Sequence, residues 1–493
     1  MKNSYFIFLF LLSSLFSSNS SAQLWYLTRG LSSDEVAWAV DADSAGNIYW
    51  AVEEKDRWPY WYFNIILYKI DSSGYQVWQS ASYGGTYNDI AFIVKVNSNK
   101  IYLAGRSDTS GALGSANALV SCYNIIDGSF NWDYRYDQGF GYEEIDGLIV
   151  QPDGIYLTGW TKGQTTDEDF LIQKISLNGS LIWTNSWDYN NQFDGANGHG
   201  AMDDNFIFAA GHTSLLNGSL ACFSRLNGAY QWDVTWSGSS NDEVLGMTMS
   251  SDSMLYTVGY YSTPSTNSQA NLRKFSRTGQ LQWSRIWGGT STEDCRATVT
   301  DGDSIIYVVG TTGSYGNGEK DIFVLKYDSA GTLLDSLFWG GAYDEVAKDV
   351  VMYGDYLYIT GETESFGNGQ VNGDHKTDGL LLKINGSTMQ APDSTMTNVT
   401  SPSIPIHGFN LQQNYPNPFN PSTTIEFALP QLAFVTLKVY NLLGEEVATL
   451  IAEQRSAGIH RFNWDAGGLA SGVYLYRLEA GNFVQSKKLI LMR

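Results

Sequence analysis

The sequence predicts an all-β chain: a seven-bladed β-propeller followed by a small immunoglobulin-like β-sandwich. Three observations carry this prediction. A unit of about 50 residues recurs seven times. A spare strand containing Trp25 precedes the first unit. The last ~85 residues alternate apolar and polar side chains, as the strands of a small sandwich do.

Composition agrees with this fold class and excludes one class of partner. Gly contributes 50 of 493 residues, aromatic residues reach 14% and charged residues only 16%, which is typical of strands joined by tight turns. The formal charge of −22 argues against nucleic acid, because phosphate binding needs clustered Lys and Arg. Cys122, Cys222 and Cys295 are widely spaced and odd in number, so we expect buried thiols and no disulfide framework.

The N-terminus has the pattern of a secretory signal peptide over residues 1–22. Lys2 precedes an apolar run from Tyr5 to Phe16, and small residues lead to Ala22. The run is too short for a stable membrane-spanning helix. We therefore expect a mature chain outside the cytoplasm that has no membrane span.

The repeat unit is clearest in a short strand that ends in Gly, as at residues 101–105 and 155–159. A Gly turn followed by a Trp strand, such as Gly128 to Trp132, completes most units. Four short strands with turns between them are the signature of a propeller blade. The seventh unit stops near Ile384 without its Trp strand. Residues 24–27 are therefore expected to complete the last blade and to close a ring over residues 23–386.

Acidic residues recur ahead of the Gly strand, and the strand order places them at the start of each innermost strand. There they would surround one mouth of the central channel. We interpret them mainly as acceptors of backbone and hydroxyl hydrogen bonds, with a cation site or an electrostatic funnel as the alternative. The set is Asp34, Glu35, Asp89, Glu143, Glu144, Asp242, Glu243, Glu293, Asp294, Asp344 and Glu345.

Aromatic side chains mark the places where the repeat symmetry breaks, and function is expected there. They cluster in the loop after the second strand of blade one and recur at matching positions in blades three and five. Aromatic faces beside carboxylates suit a polysaccharide or a peptide, whereas the alternative is that they pack the loops onto their own blades. The candidates are Trp58, Tyr60, Trp61, Tyr62, Trp160 and Tyr260.

No catalytic signature stands out in the sequence. It holds no His-x-x-x-His pair, nucleophile elbow or phosphate-binding Gly-Lys-Ser/Thr. Carboxylates are so numerous that no single pair marks a glycosidase site. We expect no metal or cofactor, although the turn at residues 41–47 weakly resembles an oxygen-rich calcium loop. The sequence favours binding over catalysis and leaves catalysis open.

The C-terminal part begins with a Ser/Thr/Pro-rich linker at residues 387–407. Residues 408–493 then carry a proline-rich motif, a Gly turn, a Gly-Val-Tyr strand and a basic end. The residues that form these features are Asn414, Tyr415, Pro416, Asn417, Pro418, Phe419, Gly444, Gly472, Tyr474, Lys487 and Lys488. In these features the segment resembles the type A C-terminal sorting domain of type IX secretion cargo.

This resemblance implies export by the signal peptide and then by the type IX secretion machinery, with the protein released or held at the cell surface. The repeats separately resemble those of bacterial secreted propellers, which supports the fold and leaves the function open. We expect a recognition protein for glycans, peptides or surface proteins. The alternatives are a polysaccharide-active hydrolase or lyase with carboxylates at the channel mouth, and an architectural surface component.

Overall fold

A computed structural model gives the structure of this protein. In the part of the chain that it describes, every regular element is a β-strand, and no helix there could cross a membrane. The predicted signal peptide and most of the predicted linker lie outside the described residues. These are 24–30, 34–55, 63–84, 88–108, 116–138, 142–162, 168–189, 194–213, 217–236, 242–263, 266–302, 304–366, 376–392, 409–411, 414, 417–429, 433–455, 458–481 and 483–492.

Seven four-stranded antiparallel sheets form the blades of the propeller. The first strand of the chain is β1 (Trp25–Arg29). Blades one to three contain β2 (Val36–Ala42), β3 (Ile48–Lys55), β4 (Phe63–Ile70), β5 (Gln76–Gln79), β6 (Asp89–Asn97), β7 (Lys100–Asp108), β8 (Ala116–Asn124), β9 (Phe130–Tyr136), β10 (Glu143–Gln151), β11 (Gly154–Lys162), β12 (Glu168–Ile175) and β13 (Leu181–Trp187).

Blades four to seven continue the same up-and-down order. Their strands are β14 (Ala201–Met202), β15 (Phe206–Thr213), β16 (Asn217–Ser224), β17 (Tyr230–Trp236), β18 (Asp242–Met249), β19 (Leu255–Thr263), β20 (Thr266–Phe275), β21 (Leu281–Trp287), β22 (Glu293–Thr300), β23 (Ile305–Thr312), β24 (Asp321–Asp328), β25 (Leu333–Trp339), β26 (Glu345–Tyr353), β27 (Tyr356–Thr363) and β28 (Asp378–Asn385).

The ring closes through its N-terminal strand. β1 pairs antiparallel with β28, with Trp25 opposite Lys383 and Arg29 opposite Gly379. The sheet order β1-β28-β27-β26 makes β1 the outermost strand of blade seven. The predicted seven blades and the predicted closure are both confirmed.

The core lies between neighbouring blades. The third strand of a blade is buried on both faces, as β8 is, because a blade packs on each side of it. The outermost strand β9 alternates half-buried and exposed residues instead. Cys122, Cys222 and Cys295 are free and buried, as the sequence analysis expected.

Tryptophans on the outer strands pack against the turns of neighbouring blades. A Trp ring of one blade lies 2.5 to 3.1 Å from the position that a Cβ would take on a turn glycine of the next blade. These glycines have φ between +69° and +91°, so a residue with a Cβ would be strained there. We call these contacts the outer belt: Trp25–Gly74, Trp78–Gly128, Trp132–Gly179, Trp183–Gly228, Trp232–Gly279 and Trp283–Gly331.

The C-terminal unit is a small β-sandwich. The chain divides into residues 1–396 and residues 397–493, and the second unit has sheets in the order β29-β30-β33 and β32-β31-β34-β35. Apolar side chains of both sheets, among them Phe427, Leu437 and Tyr476, form its core. Its strands are β29 (Asn410–Leu411), β30 (Ser422–Leu429), β31 (Ala433–Tyr440), β32 (Glu446–Arg455), β33 (Gly458–Asp465), β34 (Gly472–Ala480) and β35 (Phe483–Leu491).

Candidate functional site

A β-bulge in the innermost strand places one side chain of almost every blade in the channel. In six blades the pairing between the first and second strands skips one residue of the first strand. Such a residue has no partner in the strand pairing, and the local bend of the strand changes the direction of its side chain. All six bulge residues line the same pocket: Trp38, Phe92, Asp146, Leu245, Arg296 and Lys348.

Blade four supplies Asn197 and His199 to the pocket from an irregular innermost segment. The strand is reduced to β14, and the chain before it is held by Gly195 pairing with His212 and by the Gly198 N–H donating to Ala210 O at 2.9 Å. Asn197 and His199 both line the pocket. The Nδ1 atom of His199 lies 3.9 Å from Oδ1 of Asp349 in blade seven. Blades four and seven are not neighbours in the ring, so these two side chains approach each other across the channel.

Second strands complete the wall of this cavity, which we call the mouth pocket. Arg106 of β7 and Trp160 of β11 pair with Ile90 and Glu144, each two residues before the bulge of its blade. His212 of β15 pairs with Gly195 in blade four. Glu144, Glu168 and Glu243 also line it. The mouth pocket encloses about 350 Å³, a volume suited to a small ligand.

One side of the mouth pocket combines aromatic rings with an ion pair. Trp38 and Phe92 meet edge to face with ring centroids 5.2 Å apart. The Lys348 ammonium lies 4.6 Å from the Trp38 ring centroid and 3.1 Å from a Glu362 carboxylate oxygen. The Trp38 indole N–H donates to Glu53 Oε2 at 2.5 Å. Burial raises the pKa of Glu53 to about 7, against the opposing effect of that hydrogen bond.

A pair of carboxyl groups lies in the wall formed by blade three. Glu144 and Asp146 are hydrogen-bonded to each other through their side chains. Such a bond requires a proton, and burial raises the pKa of both groups, that of Asp146 well above its usual value. Arg106 Nη1 lies 2.8 Å from Glu144 Oε2. The pair therefore holds one proton next to a guanidinium group.

The remaining wall is a chain of polar contacts around Glu243. Asn197 Nδ2 donates to Glu243 Oε1 at 2.8 Å, and the Tyr260 hydroxyl donates to Glu243 Oε2 at 2.5 Å. The same Asn197 nitrogen lies 3.0 Å from His212 Nδ1. Burial lowers the pKa of His212, so its imidazole is neutral near pH 7.

The acidic residues singled out in the sequence fall into two groups. One carboxylate per blade is buried where the innermost strand begins and accepts hydrogen bonds from the chain that leads into it. For example, Glu345 Oε2 accepts from the Gly341 N–H at 2.6 Å, and Glu293 Oε2 accepts from the Gly289 N–H at 3.0 Å. The predicted residues at this position are Glu35, Asp89, Glu143, Asp242, Glu293 and Glu345.

The second acid of each predicted pair does not keep one position. Asp34 and Asp344 precede the buried carboxylate, and Asp344 pairs with Lys320 at 2.9 Å. Glu144, Glu243 and Asp294 follow it, and of these Glu144 and Glu243 line the mouth pocket. The pairs are therefore not equivalent from blade to blade.

Blade four has its own buried carboxylate, Asp194, which the sequence analysis missed. Its Oδ2 accepts from the Tyr189 N–H at 2.5 Å, and its own N–H donates to Glu168 O at 2.8 Å. The matching backbone bond in blade seven joins the Glu345 N–H to Lys320 O. The neighbour of Asp194 is Gly195 instead of a second acid, so no acidic pair marks this blade in the sequence.

Two of the six aromatic candidates are at the site. Trp160 lines the mouth pocket and stacks on Tyr142, with centroids 4.7 Å apart and ring planes 5° from parallel. Tyr260 contacts the pocket through its hydrogen bond to Glu243. The other four, Trp58, Tyr60, Trp61 and Tyr62, lie outside the described residues.

In the turn at residues 41–47, which weakly resembles a calcium loop, the Asp43 carboxylate accepts hydrogen bonds from neighbouring protein groups. The Asp43 carboxylate accepts from the Ala45 and Asn47 N–H groups at 2.9 Å and from the Tyr49 hydroxyl at 2.9 Å. Asp41 instead accepts from the Val96 N–H of blade two at 2.7 Å. Across the described ranges, no group of three or more His, Cys, Asp or Glu side chains is arranged to hold a metal ion.

The proline-rich motif of the C-terminal unit is fastened to its last strand. Asn417 Nδ2 donates to Lys488 O at 3.2 Å, and the Ile490 N–H donates to Asn417 Oδ1 at 2.8 Å. The Phe419 N–H donates to Ile490 O at 2.9 Å, and the Phe419 ring is buried against Trp464. The motif therefore lies along the free edge of β35 and hydrogen-bonds to its backbone.

The other resemblance residues shape the ends of strands. Asn414 is buried, and its side-chain amide donates to Thr423 Oγ1 at 2.9 Å. Gly444 has φ of +82° in the turn between β31 and β32. Gly472 opens β34, and the Tyr474 hydroxyl donates to Ala470 O at 2.8 Å. Lys487 and Lys488 lie on β35, whereas Tyr415 and Pro416 are outside the described residues.

This segment matches a known family. Residues 413–492 match the family described as "Secretion system C-terminal sorting domain". The C-terminal unit is a type IX secretion sorting domain. With this sorting domain the chain is a type IX export substrate, a secreted or cell-surface protein. No curated protein matches the chain.

Several solved structures are similar to the chain. One is PorZ, a bacterial surface component of the type IX secretion system of Porphyromonas gingivalis, with 12% identity and a TM-score of 0.27 over 94% of this chain and 75% of that one. Another is the polysaccharide lyase Uly1, with 12% identity and a TM-score of 0.41 over 71% and 90% of the two chains. A third is the β-propeller domain of the Trilobed protease from Pyrococcus furiosus, with 7% identity and a TM-score of 0.40 over 72% and 99%.

Proposed function

We propose that this exported propeller binds a saccharide in the mouth pocket. The observation that carries the proposal is the composition of the wall: the rings of Trp38, Phe92 and Trp160 alternate with carboxyl, amide and guanidinium groups around one cavity of about 350 Å³. Sugars have flat apolar faces and edges of hydroxyl groups, which such a wall complements.

The polar groups of the wall are already held in place, which supports a binding role. The Trp38 indole is fixed by Glu53, Glu243 is fixed by Asn197 and Tyr260, and Glu144 is fixed by Arg106. A ligand would find donors and acceptors that need little ordering, so less conformational entropy is lost on binding. Recognition of a peptide or a surface protein is the competing outcome of the test below.

The test uses a glycan array probed with the full mature chain, followed by titration of the best ligand. Replacing Trp160 by Ala removes an aromatic plate, and we expect the affinity to fall about tenfold or more, because an aromatic contact is worth about 1 kcal/mol beyond its burial. Tyr75→Ala is the matched control, because Tyr75 is exposed beside the outermost strand of blade one. Failure to bind any glycan rejects the proposal, and equal effects of the two variants place the site elsewhere.

Catalysis is a second candidate, favoured by the protonated Glu144–Asp146 pair. A carboxylic acid that keeps its proton near neutral pH can act as a general acid. Glycosidases place two carboxyl groups about 5 to 10 Å apart, so this hydrogen-bonded pair would act as one group and would need another partner, such as Glu243. Incubating the array ligand with the protein and assaying new reducing or unsaturated ends separates turnover from binding.

The export route completes the proposal. The signal peptide at residues 1–22 would be cleaved before Gln23, which N-terminal sequencing of the secreted protein tests. The mature chain would then consist of the propeller at 23–386, the linker at 387–407 and the sorting domain at 408–493.

A further inference from the structure

The charges around Asp146 balance only with a bound proton. Glu144, Asp146 and Glu168 lie together in the mouth pocket, and the charge of Glu144 acts on Glu168. The cations that face them are Arg106, which pairs with Glu144, and Lys162, which acts on Glu168. Three carboxyl groups thus face two cations, and the proton shared by Glu144 and Asp146 accounts for the difference.

The other basic groups of the mouth pocket are already paired. Lys348 binds Glu362 at 3.1 Å, and Arg296 binds Asp294 at 3.1 Å. His199 and His212 have pKa values lowered by burial and are neutral near pH 7. Within the described part of the chain, Arg106 is therefore the cation that faces the Glu144–Asp146 pair.

Asp146, in the wall of the cavity, has a buried carboxyl oxygen without a hydrogen-bond partner. Its side chain is buried, with the residue only 9% exposed, yet it lines the mouth pocket. The Oδ2 atom makes no hydrogen bond to any described group. A buried acceptor without a donor costs free energy until a donor arrives. The bulge position of Asp146 is the one that other blades use to place side chains in the same cavity.

We propose that the mouth pocket selects a saccharide with a free primary amine, whose ammonium group binds Asp146 and Glu144 in place of their shared proton. The inference rests on the proposed saccharide-binding function and names the class of sugar. An ammonium group has three donors. It would satisfy Oδ2 of Asp146 and balance the second carboxylate, while Trp160 on the same wall offers an aromatic ring. The carboxyl O–H bond breaks, its proton leaves to solvent, and no other covalent bond changes.

The test compares two oligosaccharides that differ only at the sugar nitrogen, which carries a positive charge in one and is a neutral amide in the other. The mature protein is titrated calorimetrically with a glucosamine tetrasaccharide and with its N-acetylated counterpart at about pH 6, where a primary amine is charged. We expect the free amine to bind about tenfold more tightly, as a charge-assisted contact allows. Titrations in two buffers of different ionisation enthalpy should show about one proton released per bound amine.

Asp146→Asn is the decisive variant. Asn has the size of Asp and can still hydrogen-bond to Glu144, but it removes the second negative charge. Both the preference for the amine and the proton release should disappear, whereas Asp344→Asn, which lies outside the mouth pocket, should keep both. A thermal melt checks folding, and Glu144→Gln replaces the variant if Asp146→Asn does not fold.

Each result bears on a different claim. Equal affinity for the two sugars, or a preserved preference in the Asp146→Asn protein, overturns the inference and leaves saccharide binding standing. Tight binding of a neutral glycan on the array, with no binding of the glucosamine tetrasaccharide, does the same. Absence of any glycan binding on the array overturns the proposed function and the inference together.

Discussion

Replacing Gly128 by Ala should destabilise the propeller by loosening its outer belt. Gly128 has φ of +69°, and an added Cβ would lie 2.7 Å from Cζ3 and 2.8 Å from Cε3 of Trp78 in blade one. Real Cβ atoms do not approach other atoms so closely, so either the tryptophan or the turn must move. Gly354 is a matched control, because it has φ of +58° and nothing within 4 Å of its added Cβ.

The expected magnitude has two parts. A left-handed backbone at a residue with a Cβ costs about 1 kcal/mol, and both substitutions carry this cost. Gly128→Ala adds overpacking against Trp78, which costs about 1 to 3 kcal/mol in a packed interface. We therefore expect the free energy of unfolding to fall by about 2 to 4 kcal/mol for Gly128→Ala and by about 1 kcal/mol for Gly354→Ala.

Urea unfolding of the mature chain, followed by circular dichroism, measures both values. The Trp78→Ala background isolates the contact, since without the indole ring Gly128→Ala should cost no more than Gly354→Ala. Equal losses for the two glycine substitutions in the parent protein would refute the idea that the belt constrains the junction between blades.

Two further predictions concern Glu53 and the sorting domain. The pKa of Glu53 is about 7 in the folded state and 4.5, its ordinary value, in the unfolded state. Between these two values the folded state binds more protons than the unfolded state. The free energy of unfolding should therefore fall by up to about 3 kcal/mol as the pH rises from about 4.5 to about 7. Glu53→Gln should flatten this part of the pH–stability curve, and an unchanged slope would assign it to other groups. Removing residues 408–493 should leave the protein in the periplasm of a type IX-competent host, and surface delivery without them, detected by immunoblotting of cell fractions, would contradict the sorting role.

The sequence was sufficient for the architecture because the repeat carries the physical constraints of each blade. The recurring Gly within the second strand sits where a Cβ would meet a carbonyl of the innermost strand, as at Gly159, where Glu144 O lies 1.9 Å from that position. The turn glycines meet the Trp rings of the outer belt, so Gly and Trp recur in phase. The missing Trp strand after Ile384 and the spare one at Trp25 then predicted ring closure.

The mouth pocket was harder to predict because its residues share a position and not a residue type. The bulge lies three residues after the buried carboxylate, and it holds Trp, Phe, Asp, Leu, Arg or Lys in the six regular blades. Function was expected where the loops break the repeat symmetry, whereas this position lies within a strand. Aligning the units on Glu143 and its equivalents would have exposed a column that changes in every blade, between neighbours that, apart from Asp349, are small or apolar.

Blade four escaped prediction for a different reason. Its innermost strand pairs over only two residues, and Asp194 is followed by Gly195 instead of a second acid, so the pattern of acidic pairs does not mark this blade. Asn197 nevertheless lies three residues after Asp194, the spacing at which the bulge residues follow their buried carboxylates. His199, which approaches Asp349 across the channel, lies in this irregular segment.

Because of the bulges, the residues that line the mouth pocket can change in evolution independently of the residues that hold the ring together. Because these side chains take no part in ladder pairing, and the Gly and Trp positions that join the blades lie elsewhere, substitutions there can alter the cavity one blade at a time. Descendants of one ancestral ring could therefore diverge in ligand while keeping the same scaffold. In the laboratory, the same positions define a combinatorial library on this scaffold, with Phe92, Leu245 and Arg296 as natural first sites for variation.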